Sequence, residues 1–468
     1  MGPRGAQWVD DMVVDAADRT HALTSVFSDC HKPDSADCHP AGPRQQIWVS
    51  YDAGGNPLHE RKLPTTEWAD RMALTADGRL ALLVRARSRV GRTNDGRGSS
   101  SVRLLDPTTG NGLGVVPLDL DAEPGIGHFV PTADGGFIVA GVFDETLRIG
   151  TSTIEASSAE WDLFVARFDA SGAATWHVTA RGHSPGRSGQ DTLHALQLLP
   201  NGDVAIAGGC RGRPLTFAGG GTTMAIRCGA RKHDDAYVAR IGADGTPRWV
   251  RRLGSTPSGG KWSTGGATPT ALAHAPDGGL FVVGLFSHVV RLTDGAQTRS
   301  LWGRGFTDTF VVHYAKDGSL VDAWQIGGPG QDRIVDAVMV NDDLWLTGTV
   351  AGKSALLALS PSKAFAGHDP ENLHLPALGV LVRLHPDDGS HAHFEMPSRA
   401  PDNITSVDAM LLRVGTNGLR VAGSFAAEQA AFPGQQDVML VLRRRLSPRA
   451  NYESFVWAPT WQSLSRAR

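Results

Sequence analysis

The chain has 468 residues, 56 of them Gly and 27 Pro, with 41% hydrophobic residues, which is a turn-rich globular composition rather than a disordered or collagen-like one. Its 45 Lys and Arg against 48 Asp and Glu leave a formal charge of −3, without the basic footprint of a nucleic-acid binder or of a protein drawn to an anionic membrane. No stretch approaches the roughly 18 consecutive apolar residues of a membrane helix, so no membrane span is expected.

A turn dipeptide followed by an apolar run recurs along the chain. In order, the copies are Asp18-Arg19 before THALTSVF, Asp77-Gly78 before RLALLVRA, Asp134-Gly135 before GFIVAGVF, Asn201-Gly202 before DVAIAGGC, Asp277-Gly278 before GLFVVGLF, Asn341-Asp342 before DLWLTGTV and Asn417-Gly418 before LRVAGSF. A second hairpin alternates with the first: IWVSYDAGGNP, SVRLLDPTTGN, WDLFVARFDASGAATW, DAYVARIGADGTPRW, DTFVVHYAKDGSLVDAW, VLVRLHPDDGS and DVMLVLRRRLSP. Each unit is therefore two hairpins, or four antiparallel strands. Units of this length, with a constant core and unequal loops, predict an all-β fold: a single seven-bladed β-propeller over 8–457. The blades are expected at 8–64, 68–118, 125–180, 191–253, 268–326, 332–396 and 405–457, with 458–468 as a tail; six or eight blades are the alternatives. On this phase the last unit packs against the first and shares no blade with it.

The linker Ile326-Gly-Gly-Pro-Gly-Gln-Asp332, then a strand, a turn and LTG or VAG, then D-x-F-V-x-R and a Gly turn, resembles the bacterial SBBP-type β-propeller repeat, best between about 125 and 350. The resemblance implies a propeller on an exported or surface protein and no single activity.

The turns within hairpins are short, whereas the connections between the hairpins of a unit are long: about Phe27 to Gln45, Phe143 to Trp161, Cys210 to Asp234, Phe286 to Thr307 and Val350 to Leu378. Long connections gathered on one face of a rigid ring are where binding is expected. All four cysteines sit in them. Two local disulfides, Cys30–Cys38 and Cys210–Cys228, are the simplest pairing, with free thiols or a zinc site as alternatives; the spacings do not match the short ligand pairs of structural zinc. Disulfides would place the chain in the periplasm, outside the cell or on its surface. Met1 to Val9 carry neither the charged start nor the apolar run of a secretory signal, so the compartment rests on these cysteines.

Candidate chemistry is sparse. One aligned column ahead of the turn strands reads Asp11, Asp70, Gly127, His194, Thr270, Asp336 and Asp408. Its acids and His would either crowd charge at a channel mouth, where a cation would relieve the repulsion, or cap backbone groups at strand starts. Beyond that cation no cofactor or metal is expected. Arg211, Arg213, Arg227, Arg231, Lys232 and His233 cluster around the second cysteine pair, as an anion or partner contact or as a solvated loop. GSTPSGGKWST lacks the spacing and hydroxyl of a phosphate loop, and Trp176 and Trp249 are read as packing residues. The expectation is a monomeric, non-catalytic binding scaffold for a protein or glycan partner. A carbohydrate-active enzyme or a cofactor-binding propeller is the alternative.

Overall fold

The computed structural model describes residues 7–26, 45–64, 67–86, 100–157, 161–182, 191–210, 214–229, 235–256, 266–328, 330–351, 377–395, 406–426, 438–441 and 453–458. Every regular element among them is a β-strand. The first unit is a four-stranded antiparallel meander, Gln7–Val14, Thr20–Val26, Gln45–Tyr51 and Pro57–Lys62. Four strands in the same order recur from Glu67–Leu74 to Gly112–Pro117 and from Ala267–His274 to Leu320–Ile326. The sheets of units three and four contain the same meander with additions at their edges.

The alternation of side chains across a strand explains why the middle strands are apolar on both faces. In Leu280–Phe286, Val282 packs with Leu253 and Val290, whereas its neighbours Phe281 and Val283 pack with Ile334, Leu346 and Val380. One sheet is thus buried between two others. The first strands of the seven sequence units lie side by side in chain order, and Ser406–Gly415 lies against Gln7–Val14. Each carries one bulge at the same level, at Asp10, Asp70, Gly127, His194, Thr270, Val335 and Met410. A bulge bends the strand and sharpens its twist, which lets straight ladders radiate from a common centre. Sheets stacked face to face with their first strands at one axis make this a β-propeller.

The long connections are not all loops. The hairpin Pro214–Gly219 with Thr222–Arg227, which belongs to unit four in sequence, pairs with the outer strand of unit three, Arg181 opposite Thr216. The hairpin Val289–Thr293 with Thr298–Trp302, from unit five, pairs with the outer strand of unit four, Gly254 opposite Arg291. Each insertion therefore fastens its own unit to the preceding one. A further correction concerns unit seven. Val438–Val441, taken from sequence as its third strand, lies outermost, and Glu453–Ala458 takes the place beside Gly418–Ala426. The boundary at 457/458 falls inside that strand.

On the short-turn face, the Trp that closes the second hairpin of units three and four reaches the next unit. Trp176 Nε1–H donates to the carbonyl of Ala243 at 2.9 Å and Trp249 Nε1–H to that of Lys316 at 3.0 Å. Gly318 sits under this indole with φ +81°, and a Cβ there would lie 2.7 Å from Trp249 Cδ2; Gly78, at φ +80°, has open space. Both pay the left-handed backbone penalty on gaining a side chain, but only Gly318 also meets a packed ring. Gly78→Ala is expected to cost about 1 kcal/mol and Gly318→Ala about 3 kcal/mol in urea denaturation, and equal losses would contradict this contact.

Candidate functional site

Polar side chains concentrate at the axis and at the two ends of the repeated D-x-F-V-x-R strand, and exposed aromatics in the insertion of unit five.

At the axis the seven first strands line a cavity of about 550 Å³. The residue after each bulge faces it, which brings Asp11 and Asp336 to one side. Asp11 accepts hydrogen bonds from the backbone N–H of Met12 and of Met72, in the next unit, both at 2.9 Å. Asp336 does the same with Ala337 at 2.9 Å and with Leu412, in unit seven, at 2.8 Å. Between them lies Arg413, which donates to Asp336 Oδ2 at 2.7 Å, to Asp11 Oδ1 at 3.2 Å and to the carbonyl of Met12 at 2.7 Å. Burial opposes the charge of this guanidinium, but the two carboxylates outweigh it and hold its pKa above the usual arginine value.

The other members of the sequence column do not join this cluster. Asp70, at the bulge itself, pairs with Arg85 at 2.5 Å, and burial raises its pKa against the pull of that partner. His194, also at a bulge, bonds the Thr192 hydroxyl at 2.8 Å. Asp408 lies two residues before the bulged Met410, opposite Ser424. Among the described residues, no three His, Cys, Asp or Glu side chains are grouped as metal ligands.

The repeated strand uses its charged ends differently. Its Asp pins the insertion that precedes it. Asp162 accepts from the N–H of Ser157 at 2.6 Å, and Asp308 from those of Arg304 at 2.6 Å and Gly305 at 3.3 Å. Asp235 takes the N–H of Gly229 and pairs with Arg252 at 2.6 Å. The other end of the motif ties the short turns: Arg167 to Asp134 at 2.5 Å, Arg240 to Asp203 at 2.7 Å and to the carbonyl of Gly278 in the next unit at 2.8 Å. His313 replaces the Arg in unit five, 3.2 Å from Asp277. In the sequence this motif is visible as a repeat signature. The recurrence of a charged residue at each end of an otherwise apolar strand was the signal it carried.

A disulfide joins Cys210 and Cys228, with Cα atoms 5.9 Å apart, and closes the base of the hairpin that docks on unit three. Cys30, Cys38, Arg211, Arg213, Arg231, Lys232 and His233 lie outside the described residues, and Arg227 ends the docked hairpin strand. In unit five, Trp302 and Phe306 are 48% and 45% exposed within the insertion. About half of each residue faces solvent, on a backbone fixed by the outer strand of unit four and by Asp308.

No family model and no curated protein matches the sequence. Solved structures similar to the chain include the β-propeller domain of the Trilobed protease from Pyrococcus furiosus, 9% identical, covering 97% of this chain and 94% of that one with a TM-score of 0.41. Virginiamycin B lyase from Staphylococcus aureus is 8% identical and covers 97% and 96%, with a TM-score of 0.27. Phage phi92 endosialidase is 9% identical and covers 98% and 68%, with a TM-score of 0.37. Such distant likeness carries no chemistry over to this chain.

Asp308 differs from Asp235 in what faces it across the ladder. The register position held by Arg252 beside Asp235 is held by Gln325 in unit five. One Asp308 oxygen is buried without a partner among the described residues. Burial, with Asp332 nearby adding to it, pushes its pKa up to about 7 against the hydrogen bond from Arg304. The folded protein keeps this proton up to about pH 7, whereas an unfolded chain releases it near 3.8, so the group takes stability away as pH rises through that window. Asp308→Asn is expected to remove a negative slope of up to about 1.4 kcal/mol per pH unit from the stability curve between pH 4 and 7. An unchanged curve would show that Asp308 is ionised throughout.

Proposed function

We propose that the chain is a seven-bladed propeller, exported to the periplasm or the cell surface, that serves as a non-catalytic scaffold for a protein or glycan partner. Seven first strands around one cavity, with the last against the first, support the blade count. The Cys210–Cys228 disulfide supports an oxidising compartment. SBBP-type repeats are the reading of the motif that fits both.

The observation that carries the binding role is the pair Trp302 and Phe306. Large exposed aromatics on a rigid backbone lose little entropy on contact and suit either a protein hot spot or the face of a sugar ring. The insertion that bears them is ordered by a ladder, a carboxylate clamp and the packing of Leu301 into the core of units four and five. The partner then meets a preformed surface.

A glycan array and a pull-down from the secreted fraction, each with wild type and a Trp302→Ala/Phe306→Ala variant, test this. Retention of the partner is expected to fall at least tenfold in the variant, with melting unchanged because both rings are exposed. Equal capture by the two proteins would move the binding face elsewhere.

A further inference from the structure

The axial cavity has a second polar side that the ring's own contacts do not consume. Opposite Arg413, the residues after the bulges in units two and three are Arg71 and His128, and the bulged residue of unit four is His194; all three line the cavity. The contrast in partners is sharp. Asp11 and Asp336 are each filled by two backbone N–H groups and by Arg413. Arg71, among the described residues, makes one hydrogen bond, Nη1 to the carbonyl of Asp70 at 3.0 Å, and no ion pair. A guanidinium has five N–H donors in a planar fork, so most of its binding capacity is open.

The volume has a cause in the sequence. At the same level as Arg71 and His128, units four and five carry Ala195 and Ala271, and two residues further along unit two carries Ala73. Small side chains at the axis leave room that larger ones would fill, and about 550 Å³ lies within the range of small-molecule sites. Two residues further along the strands, Val13, Val130 and Val338 give the wall an apolar part beside Gln197 and Arg413.

We propose that this cavity binds a small organic carboxylate, its carboxylate held by the Arg71 fork with His128 and His194 beside it and its apolar part against these valines. Arg71 is the cation of this side, with the nearby Asp70 carboxylate already paired to Arg85, and a planar carboxylate matches the fork in a two-point contact. His128 adds no second charge: burial, with Arg71 also contributing, pushes its pKa down to about 3. The site therefore favours a monoanion over a dianionic phosphate. It lies on the axis and does not involve Trp302 or Phe306, so it stands or falls independently of the partner-binding face.

Sodium benzoate is the probe, titrated calorimetrically into the full chain at neutral pH beside inorganic phosphate and benzyl alcohol. Arg71→Ala and Arg71→Met are measured in parallel, both expected to melt with the wild type because Arg71 has no ion pair to lose. Saturable one-to-one benzoate binding is expected, at least tenfold weaker in both variants and absent for benzyl alcohol. In the wild type, the ring signals of His128 and His194 should shift on adding benzoate. No saturable benzoate binding, equal binding in wild type and variants, or tighter binding of phosphate than of benzoate would each overturn the proposal.

Discussion

Closing a ring whose first and last units share no strand is the constraint on which the rest of this structure depends. Every sheet but those at the seam is joined to the next by a covalent link, whereas Ser406–Gly415 and Gln7–Val14 lie side by side without one. Among the described residues, the apolar contact there is built around Val9, Met12, Tyr51 and Ala422. Polar contacts supply the remainder. Asp18, itself at φ 60°, accepts from the N–H of Thr416 at 3.0 Å and pairs with Arg420 at 2.7 Å, and both members of the pair are buried. Arg413 then spans Asp336, Asp11 and the Met12 carbonyl, tying unit six to unit one across unit seven. Buried charges with incomplete partners would be costly, but here each carboxylate also receives backbone N–H groups.

The same logic is repeated more cheaply around the ring. Between covalently linked units the contacts also include neutral ones: an indole N–H to a turn carbonyl, or the Thr270 hydroxyl to the carbonyl of Ile334 at 2.9 Å. The insertions of units four and five add a ladder to the preceding sheet, and the disulfide holds the first of them at its base. These devices fix the surfaces that carry Trp302 and Phe306 and leave the axis open. Function can then be spread over a rim and a channel without either disturbing the core.

Much of this was legible in the sequence, because hairpin turns and apolar runs report local pairing. The four-strand units follow from spacing, while the Cys210–Cys228 bridge and the packing role of Trp176 and Trp249 are each the simplest of several readings the sequence leaves open. What spacing could not show was partnership between residues far apart. Asp11 and Asp336 were visible as a column, yet Arg413 has no counterpart in the other units, so no repeat pointed to it. Arg71 and His128 were missed because each stands one position from a residue that had been aligned, and the bulge decides which of the two faces the axis. The docked hairpins read as loops since their strands are short and pair with a sheet from the preceding unit. In unit seven the third strand comes from Glu453–Ala458, beyond the expected hairpin, and no local pattern announces such a crossover.

The seam is where the account is most exposed, and a double-mutant cycle on Asp18 and Arg420 measures it. Asp18→Asn, Arg420→Met and the double variant would be compared with the wild type by urea denaturation at neutral pH. A buried, well-partnered pair across a noncovalent junction predicts a coupling energy of about 2 kcal/mol or more, with each single variant losing more than the double variant's share. A coupling near zero would mean that Asp18 and Arg420 do not meet, and that the ring is not closed through units seven and one.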